Sequence, residues 1–338
     1  MGLSFYWTFA SPQATCSSCH EIESFSNMWE QSGHRTVHCT ECHGTALSNG
    51  LHSVKEKGMM LVRHFATESN ATLRVKESHI PEIMVNCQRC HGAEYARWLS
   101  GGHSATYASI FLNAKQNASE QLHADCLRCH GMFFAGGIED LVSPISLTGP
   151  WSLKLPDRAT QPAIPCLACH RIHREGIPAV APDYSDPEKI FYSRNEPLTS
   201  VLLYDRYERT HHPAADLPLP VIWDEGKKVR ISDDRRQRVC MQCHAPDAFH
   251  RAGSRDDRTP RGVHEGISCL ACHDSHSNAS RRSCIACHPA ISNCQRDVTR
   301  MNTTYFDKES PNDIHFVRCI DCHPGGIPRK NASASGQD

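Results

Sequence analysis

The chain has 338 residues, of which 39% are hydrophobic and 19 are cysteines. Its 36 basic and 37 acidic residues give a net charge of −1, which argues against nucleic acid as a partner. Only 7% of the residues are aromatic and no run of roughly 18 apolar residues occurs, so we expect no complete membrane span and an interior filled partly by a bound group.

The first predicted element is an apolar N-terminal segment over residues 1–15, which begins Met1-Gly-Leu-Ser-Phe-Tyr-Trp-Thr-Phe-Ala10. It lacks a basic region and is too short for a secretory signal or a membrane span. We interpret it as the remnant of a longer signal or anchoring segment, or as a mature end misassigned at Met1.

Nine copies of the pattern Cys-x-x-Cys-His follow, and they use 18 of the 19 cysteines. In chain order the motif residues are Cys16, Cys19, His20; Cys39, Cys42, His43; Cys87, Cys90, His91; Cys126, Cys129, His130; Cys166, Cys169, His170; Cys240, Cys243, His244; Cys269, Cys272, His273; Cys284, Cys287, His288; and Cys319, Cys322, His323. Cys294 stands outside the pattern, and no role is assigned to it.

The repeated pattern is the attachment signature of c-type haem. Two cysteines three positions apart lie on one side of a helical turn and bond the two vinyl groups of one porphyrin, and the next histidine reaches the iron. A disulfide framework or a zinc ribbon does not need a histidine after every pair, and a thioredoxin-like motif would occur once. The sequence therefore predicts nine c-type haems, each with a motif histidine as the proximal iron ligand.

A second histidine can fill the other axial position of each iron, and fourteen of the 23 histidines lie outside the motifs. The candidates for this distal position are His34, His52, His64, His79, His103, His123, His173, His211, His264, His276 and His315. The methionines show no recurring offset from the motifs, so we expect histidine as the distal ligand.

Two of these candidates follow a motif histidine by three residues, in the pattern Cys-x-x-Cys-His-x-x-His. They are His173 after His170 and His276 after His273. On a helix this spacing turns both rings to one side, so the second ring cannot reach the far face of the haem that its neighbour binds. We expect each of them to bind a second haem.

From Cys16 to His323 the motifs resemble those of the multihaem c-type cytochromes. Three stretches near the start are Cys16-Ser-Ser-Cys-His-Glu-Ile22, Trp29-Glu-Gln-Ser-Gly-His34 and Cys39-Thr-Glu-Cys-His43. Through them, roughly residues 5–130 are similar to the NapC/NrfH family of membrane-anchored tetrahaem quinol dehydrogenases. This resemblance implies the membrane quinol pool as a partner. The family commonly has methionine two residues after the first motif histidine, where this chain has Ile22.

The expected fold is mainly α with much irregular loop and few short strands, built around a stacked haem core. After the N-terminal segment, the predicted regions are a five-haem domain (16–173), a haem-free, proline-rich insertion or linker (174–239), a four-haem domain (240–328) and a disordered tail (329–338). Within the insertion, the stretch Val221–Ile231 predicts a β-hairpin around Asp224–Gly226.

Two histidines on one iron close both of its faces to substrate, which suits electron transfer. We expect an electron conduit, respiratory or extracellular, whose partners are redox proteins, the quinol pool or further copies of the chain in a filament. The alternative is a multihaem reductase or oxidase of nitrogen or sulfur oxyanions at one open haem, and no catalytic residue is predicted for it. Covalent haem attachment occurs outside the cytoplasmic membrane, so we expect an exported protein that is periplasmic, membrane-anchored or extracellular.

Overall fold

A computed structural model gives the architecture for part of the chain. The structure describes residues 5, 17, 19–45, 47–48, 53–66, 74–173, 201–245, 257–277, 279, 284, 287–288 and 312–326. Several predicted features lie outside these residues, namely the N-terminal segment apart from Phe5, Cys16, His52, Cys294, residues 174–200 and the tail 329–338.

The described residues are mainly helical with much loop and few short strands, as the sequence predicts. The helices are α1 (His20–Glu30), α2 (Cys39–His43), α3 (Val54–Ala66), α4 (Ile80–Cys90), α5 (Gly92–Leu99), α6 (Tyr107–Phe111), α7 (Ala114–Ser119), α8 (Cys126–His130), α9 (Ile138–Leu141), α10 (Gln237–His244) and α11 (Cys319–Cys322). Single 3-10 turns cover Glu77–His79, Gly102–Ser104, Pro156–Arg158, Cys166–Ala168, Gly262–His264, Cys269–Ala271 and Ile314–Phe316.

Local sequence explains where several of these short helices begin. Pro81 lies in the first turn of α4, where its missing N–H costs no hydrogen bond. Thr106 caps α6 by accepting from the backbone N–H of Ser109, and Asn113 caps α7 by accepting from that of Gln116.

The six short strands form three antiparallel pairs. They are β1 (Val142–Ser143) with β2 (Ser152–Leu153), β3 (Leu202–Asp205) with β4 (Thr210–Pro213), and β5 (Trp223–Asp224) with β6 (Lys227–Lys228). In the last pair Trp223 lies opposite Lys228, and the turn between them holds Glu225 and Gly226 at positive φ. The hairpin predicted around Asp224–Gly226 is therefore confirmed.

The chain divides into two compact units. Among the described residues, the first unit comprises 5–173, 201–217 and 274–279, and the second comprises 218–273 and 284–326. Five of the Cys-x-x-Cys-His motifs fall in the chain segments of the first unit and four in those of the second.

The first unit contains two apolar clusters, and each includes a residue from inside a motif. Leu127, between the cysteines of the fourth motif, is fully buried against Phe111 and Leu141. Leu167 of the fifth motif packs in the same way with Ile83 of α4 and Trp98 of α5. The residue after the first cysteine thus anchors the motif in the core, while both cysteines of these motifs stay partly exposed.

The second unit has an apolar cluster of Ile222, Val229, Met241 and Ala245. Met241 again follows the first cysteine of a motif. Beside it lies a buried polar group in which the Asp234 carboxylate accepts from Arg236 Nε at 2.9 Å and from Ser268 Oγ at 2.7 Å. The backbone N–H of Cys269 also donates to Gln237 Oε1 at 3.2 Å, so a hydrogen bond joins helix α10 to the turn Cys269–Ala271.

Candidate haem sites

The motifs that the structure describes are built around one tight turn of backbone. In five motifs the backbone N–H of the histidine donates to the carbonyl oxygen of the first cysteine: His91 to Cys87 at 2.8 Å, His170 to Cys166 at 3.0 Å, His273 to Cys269 at 2.9 Å, His288 to Cys284 at 2.7 Å and His323 to Cys319 at 2.9 Å. This i to i−4 bond closes a single α-helical turn even where the flanking chain is 3-10 or irregular. The turn places both thiols and the imidazole for one porphyrin.

Six motif histidines each face a histidine from another part of the chain. The ring centres are separated by 5.3 Å in His20–His64, 6.0 Å in His91–His34, 5.6 Å in His43–His173, 5.9 Å in His170–His276, 6.4 Å in His288–His264 and 5.8 Å in His273–His315. Every pair therefore joins one predicted proximal ligand to one predicted distal ligand.

These separations fit an iron ion between the two rings. An imidazole nitrogen bonds a transition metal at about 2 Å, and the ring centre lies roughly 1 Å farther back, so two axial imidazoles have centres about 6 Å apart. Hydrogen-bonded or stacked imidazoles have no reason to repeat this spacing at six places. The six histidine pairs thus have the spacing expected for haem iron with two histidine ligands.

In five of the six pairs, the partner of the motif histidine comes from the neighbourhood of a different motif; the exception is His64, which lies between the second and third motifs. His173 follows His170 by three residues but faces His43, and His276 follows His273 but faces His170. The residues after His170 and His273 are not helical, so the expectation of one helix carrying both rings is not met. The chain turns instead, and consecutive histidines reach different sites.

Hydrogen bonds orient several of the distal rings through Nδ1. His264 Nδ1 donates to the carbonyl oxygen of Ile314 at 2.9 Å, and His315 Nδ1 lies 2.8 Å from Asp313 Oδ1. His64 Nδ1 is bonded to Glu21. A proton held on Nδ1 leaves the Nε2 lone pair for a metal, which is the usual arrangement of a ligating histidine.

Burial favours the neutral, metal-binding form of three paired rings, those of His173, His273 and His315. Desolvation lowers the pKa of His173 to about 4, with smaller contributions from Arg171 and His34. It also lowers the pKa of His273 to about 4, and His315 contributes next. The pKa of His315 itself falls for the same reason, although the bond to Asp313 opposes the shift.

The cysteines of different motifs also approach one another. Within the second unit, Cys240 and Cys269 share a side-chain hydrogen bond, which lowers the pKa of the first thiol and raises that of the second. In the first unit, desolvation raises the pKa of Cys87 to about 12, and Cys166 and Cys42 are close enough to contribute. The second, third and fifth motifs are therefore neighbours, as are the sixth and seventh.

The remaining described candidates stand in other surroundings. His211 Nε2 bonds the carbonyl oxygen of Leu167 at 2.7 Å, and His123 Nδ1 accepts from the backbone N–H of Asp125 at 3.2 Å. His79 Nδ1 is buried without a hydrogen-bond partner, and His103 lies in the 3-10 turn Gly102–Ser104. These four are outside the six ring pairs above.

Three features of the sites were not predicted from the sequence. They are the carboxylates of Glu21 and Asp313 and the carbonyl oxygen of Ile314, which hold distal rings. Asp313 lies two residues before His315, a spacing that could have drawn attention to it. Glu21 also lies with His20 and His64 in a group whose ligand atoms fall within 4.8 Å of one another.

Comparison with known families agrees with this geometry. Residues 11–179, half of the chain, match the model of outer membrane cytochrome MtrC/MtrF-like domains II/IV, and residues 203–274 match that of cytochrome c554 and c-prime. No curated protein and no solved structure matches the chain. The protein is thus a multihaem c-type cytochrome that transfers electrons. Within that class, it belongs to the MtrC/MtrF-like family.

The family match also bears on location and partners. A domain of this family indicates an exported protein that works with redox partners. In the part of the chain that the structure describes, no helix is long and apolar enough to cross a membrane.

Proposed function

We propose that the chain is an electron conduit with nine covalently attached c-type haems, most of them ligated by two histidines. The observation that supports this is the set of six facing histidine pairs, each with one motif member. When bound, haem supplies reversible one-electron chemistry at its iron. The chain's own residues decide which ligands the iron meets and what else can reach it.

An iron held between two paired rings would have no open position for a substrate. At the second motif, His43 and His173 lie nearly parallel, at 13° to each other, and Phe25 packs against His173 at 5.6 Å between ring centres. His173 is thus held by an aromatic neighbour as well as by its place beside the fifth motif. A fixed pair of strong ligands keeps the coordination unchanged on reduction, which favours fast transfer over catalysis.

The setting that the family match supports best is the cell surface, where the protein would exchange electrons with a redox partner. The matched family is described as an outer membrane cytochrome. Digestion of intact cells with an external protease tests this, because a surface protein is cleaved and a periplasmic one is protected. Electron microscopy of the purified protein distinguishes filaments of self-associated chains from single particles. The quinol-pool role rests on the NapC/NrfH resemblance alone.

The ligand assignment is tested by comparing His173→Ala with His211→Ala. We expect His173→Ala to convert one low-spin ferric haem to high spin in the EPR spectrum, because it opens one axial position. His211→Ala should leave the spin states unchanged, since its Nε2 bonds a backbone carbonyl. Identical spectra for His173→Ala and the unmodified protein would contradict the assignment.

The haem number is tested by the intact mass and by a haemochrome assay, which should both give nine per chain. The alternative, a reductase or oxidase, requires an iron with an open axial position. Turnover of nitrite, hydroxylamine or sulfite by the purified protein, together with a high-spin signal in the unmodified chain, would favour that alternative over the conduit.

A further inference from the structure

Asp313 is a buried carboxylate directly behind a distal histidine. It precedes the 3-10 turn Ile314–Phe316, and its side chain is fully buried. Oδ1 accepts from the backbone N–H of His315 at 3.0 Å and lies 2.8 Å from His315 Nδ1. Oδ2 is buried and has no hydrogen-bond partner among the described residues. Within that part of the chain, the carboxylate directs its hydrogen bonds at His315 alone.

The His315 ring is paired with the motif histidine of the seventh site. The His315 and His273 rings are parallel to within 2°, with their centres 5.8 Å apart. With Nδ1 held by Asp313, Nε2 is the atom available to the iron. Iron bound by His315 would complete a carboxylate–histidine–metal arrangement with Asp313, which orients the ring and increases its basicity.

The adjacent site in the same unit provides an internal comparison. His264 faces His288 with ring centres 6.4 Å apart, and its Nδ1 donates to the carbonyl oxygen of Ile314 at 2.9 Å. One short turn therefore supplies the acceptor for both distal rings. The acceptor is an acidic side chain at one site and a neutral amide at the other.

We infer that Asp313 is a positioning residue that lowers the reduction potential of the haem between His273 and His315 below that of the haem between His264 and His288. A charge-assisted hydrogen bond makes the imidazole a stronger electron donor, and a buried negative charge favours the ferric over the ferrous iron. The inference rests on the proposed function, because it requires haem at both ring pairs.

A simpler role for Asp313 is to cap the 3-10 turn through the His315 N–H. The variant Asp313→Asn separates the two roles, because asparagine caps as well as aspartate but carries no charge. Asp313→Glu keeps the negative charge. Asp313→Ser removes the charge but keeps an oxygen that can cap the turn. Glu225→Gln removes one negative charge from the exposed hairpin turn of the same unit and serves as the matched control.

The experiment is a potentiometric titration of the full-length haem-loaded protein, followed by EPR and optical spectroscopy. In Asp313→Asn we expect the haem between His273 and His315 to be reduced at a higher potential, because a charge-assisted hydrogen bond becomes a neutral one. At a fixed potential, the ferric-to-ferrous ratio of this haem should then fall roughly fivefold. Asp313→Ser should shift the same haem in the same direction. Asp313→Glu should restore the original value, and Glu225→Gln should change nothing.

Failure of the inference about Asp313 and failure of the proposed function would give different results. Unchanged midpoints in Asp313→Asn or Asp313→Ser, with all low-spin haems retained, would overturn the inference and leave Asp313 as a turn cap. Absence of low-spin haems from the unmodified protein would instead contradict the proposed function itself.

Discussion

Among the described residues, the largest fully buried side chains of the first unit are mostly apolar, Phe111, Leu127 and Leu141 among them, whereas those of the second unit are Gln237, Asp234 and Ser268. Apolar burial drives folding by itself, but a buried ion pair roughly cancels its own desolvation cost. Within the described residues, the apolar side-chain clusters of the first unit are therefore larger than the cluster of the second unit. We expect the second unit to depend more strongly on the apolar surface that covalently bound haem would bring.

The largest expected effect comes from removing one haem attachment site in each unit. We expect Cys269→Ala with Cys272→Ala to unfold the second unit and make residues 218–273 sensitive to protease. The matched double variant, Cys126→Ala with Cys129→Ala, should leave the first unit folded, since Leu127 stays in its apolar cluster. Limited proteolysis with mass mapping measures both. Equal protection of the two units from protease in the two double variants would show that the units do not differ in their dependence on haem.

A smaller effect is expected from Asp234→Asn in the polar interior of the second unit. The Arg236 side chain is only 5% exposed and would lose the negative charge of Asp234 beside it, at a cost of about 3–5 kcal/mol. Chemical denaturation followed by circular dichroism measures the change. The control is Asp224→Asn, an exposed partner of Arg261 that should cost about 1 kcal/mol or less. Equal losses in both variants would show that the buried group does not stabilise the unit.

The smallest expected effect is Leu127→Ala in the first unit. It removes a fully buried side chain from the apolar cluster and should lower the free energy of unfolding by about 2–5 kcal/mol. Leu99→Ala, at a position that is 59% exposed, should change it by about 0.5 kcal/mol or less. If Leu127→Ala cost as little as its control, porphyrins would dominate the stability of the first unit too.

The sequence was sufficient for the local features. The motif spacing indicates a helical turn, and the structure closes that turn by the His-to-Cys backbone bond in five motifs. The Asp224–Gly226 hairpin follows from turn chemistry alone. These features depend on residues a few positions apart, whose geometry the backbone fixes locally.

The pairing of rings could not be read from the sequence. His43 and His173 meet because the fifth motif packs against α4, where Met84 Sδ accepts from the backbone N–H of Cys166 at 3.1 Å. Such long-range contacts result from tertiary packing, and many of the candidate histidines are equivalent by spacing. The acceptors behind Nδ1, such as Asp313, depend on the same packing.

The most direct test of the ligand assignment is a low-temperature EPR spectrum of the fully oxidised protein with quantified spins. At least six irons should be low-spin, because six motif histidines face a second histidine. The angle between the planes of the two histidine ligands sets the anisotropy of a low-spin signal. The His273 and His315 rings are parallel at 2°, and the His264 and His288 rings are perpendicular at 89°, so two kinds of low-spin signal are expected. A spectrum dominated by high-spin ferric iron, with fewer than six low-spin haems, would contradict the account.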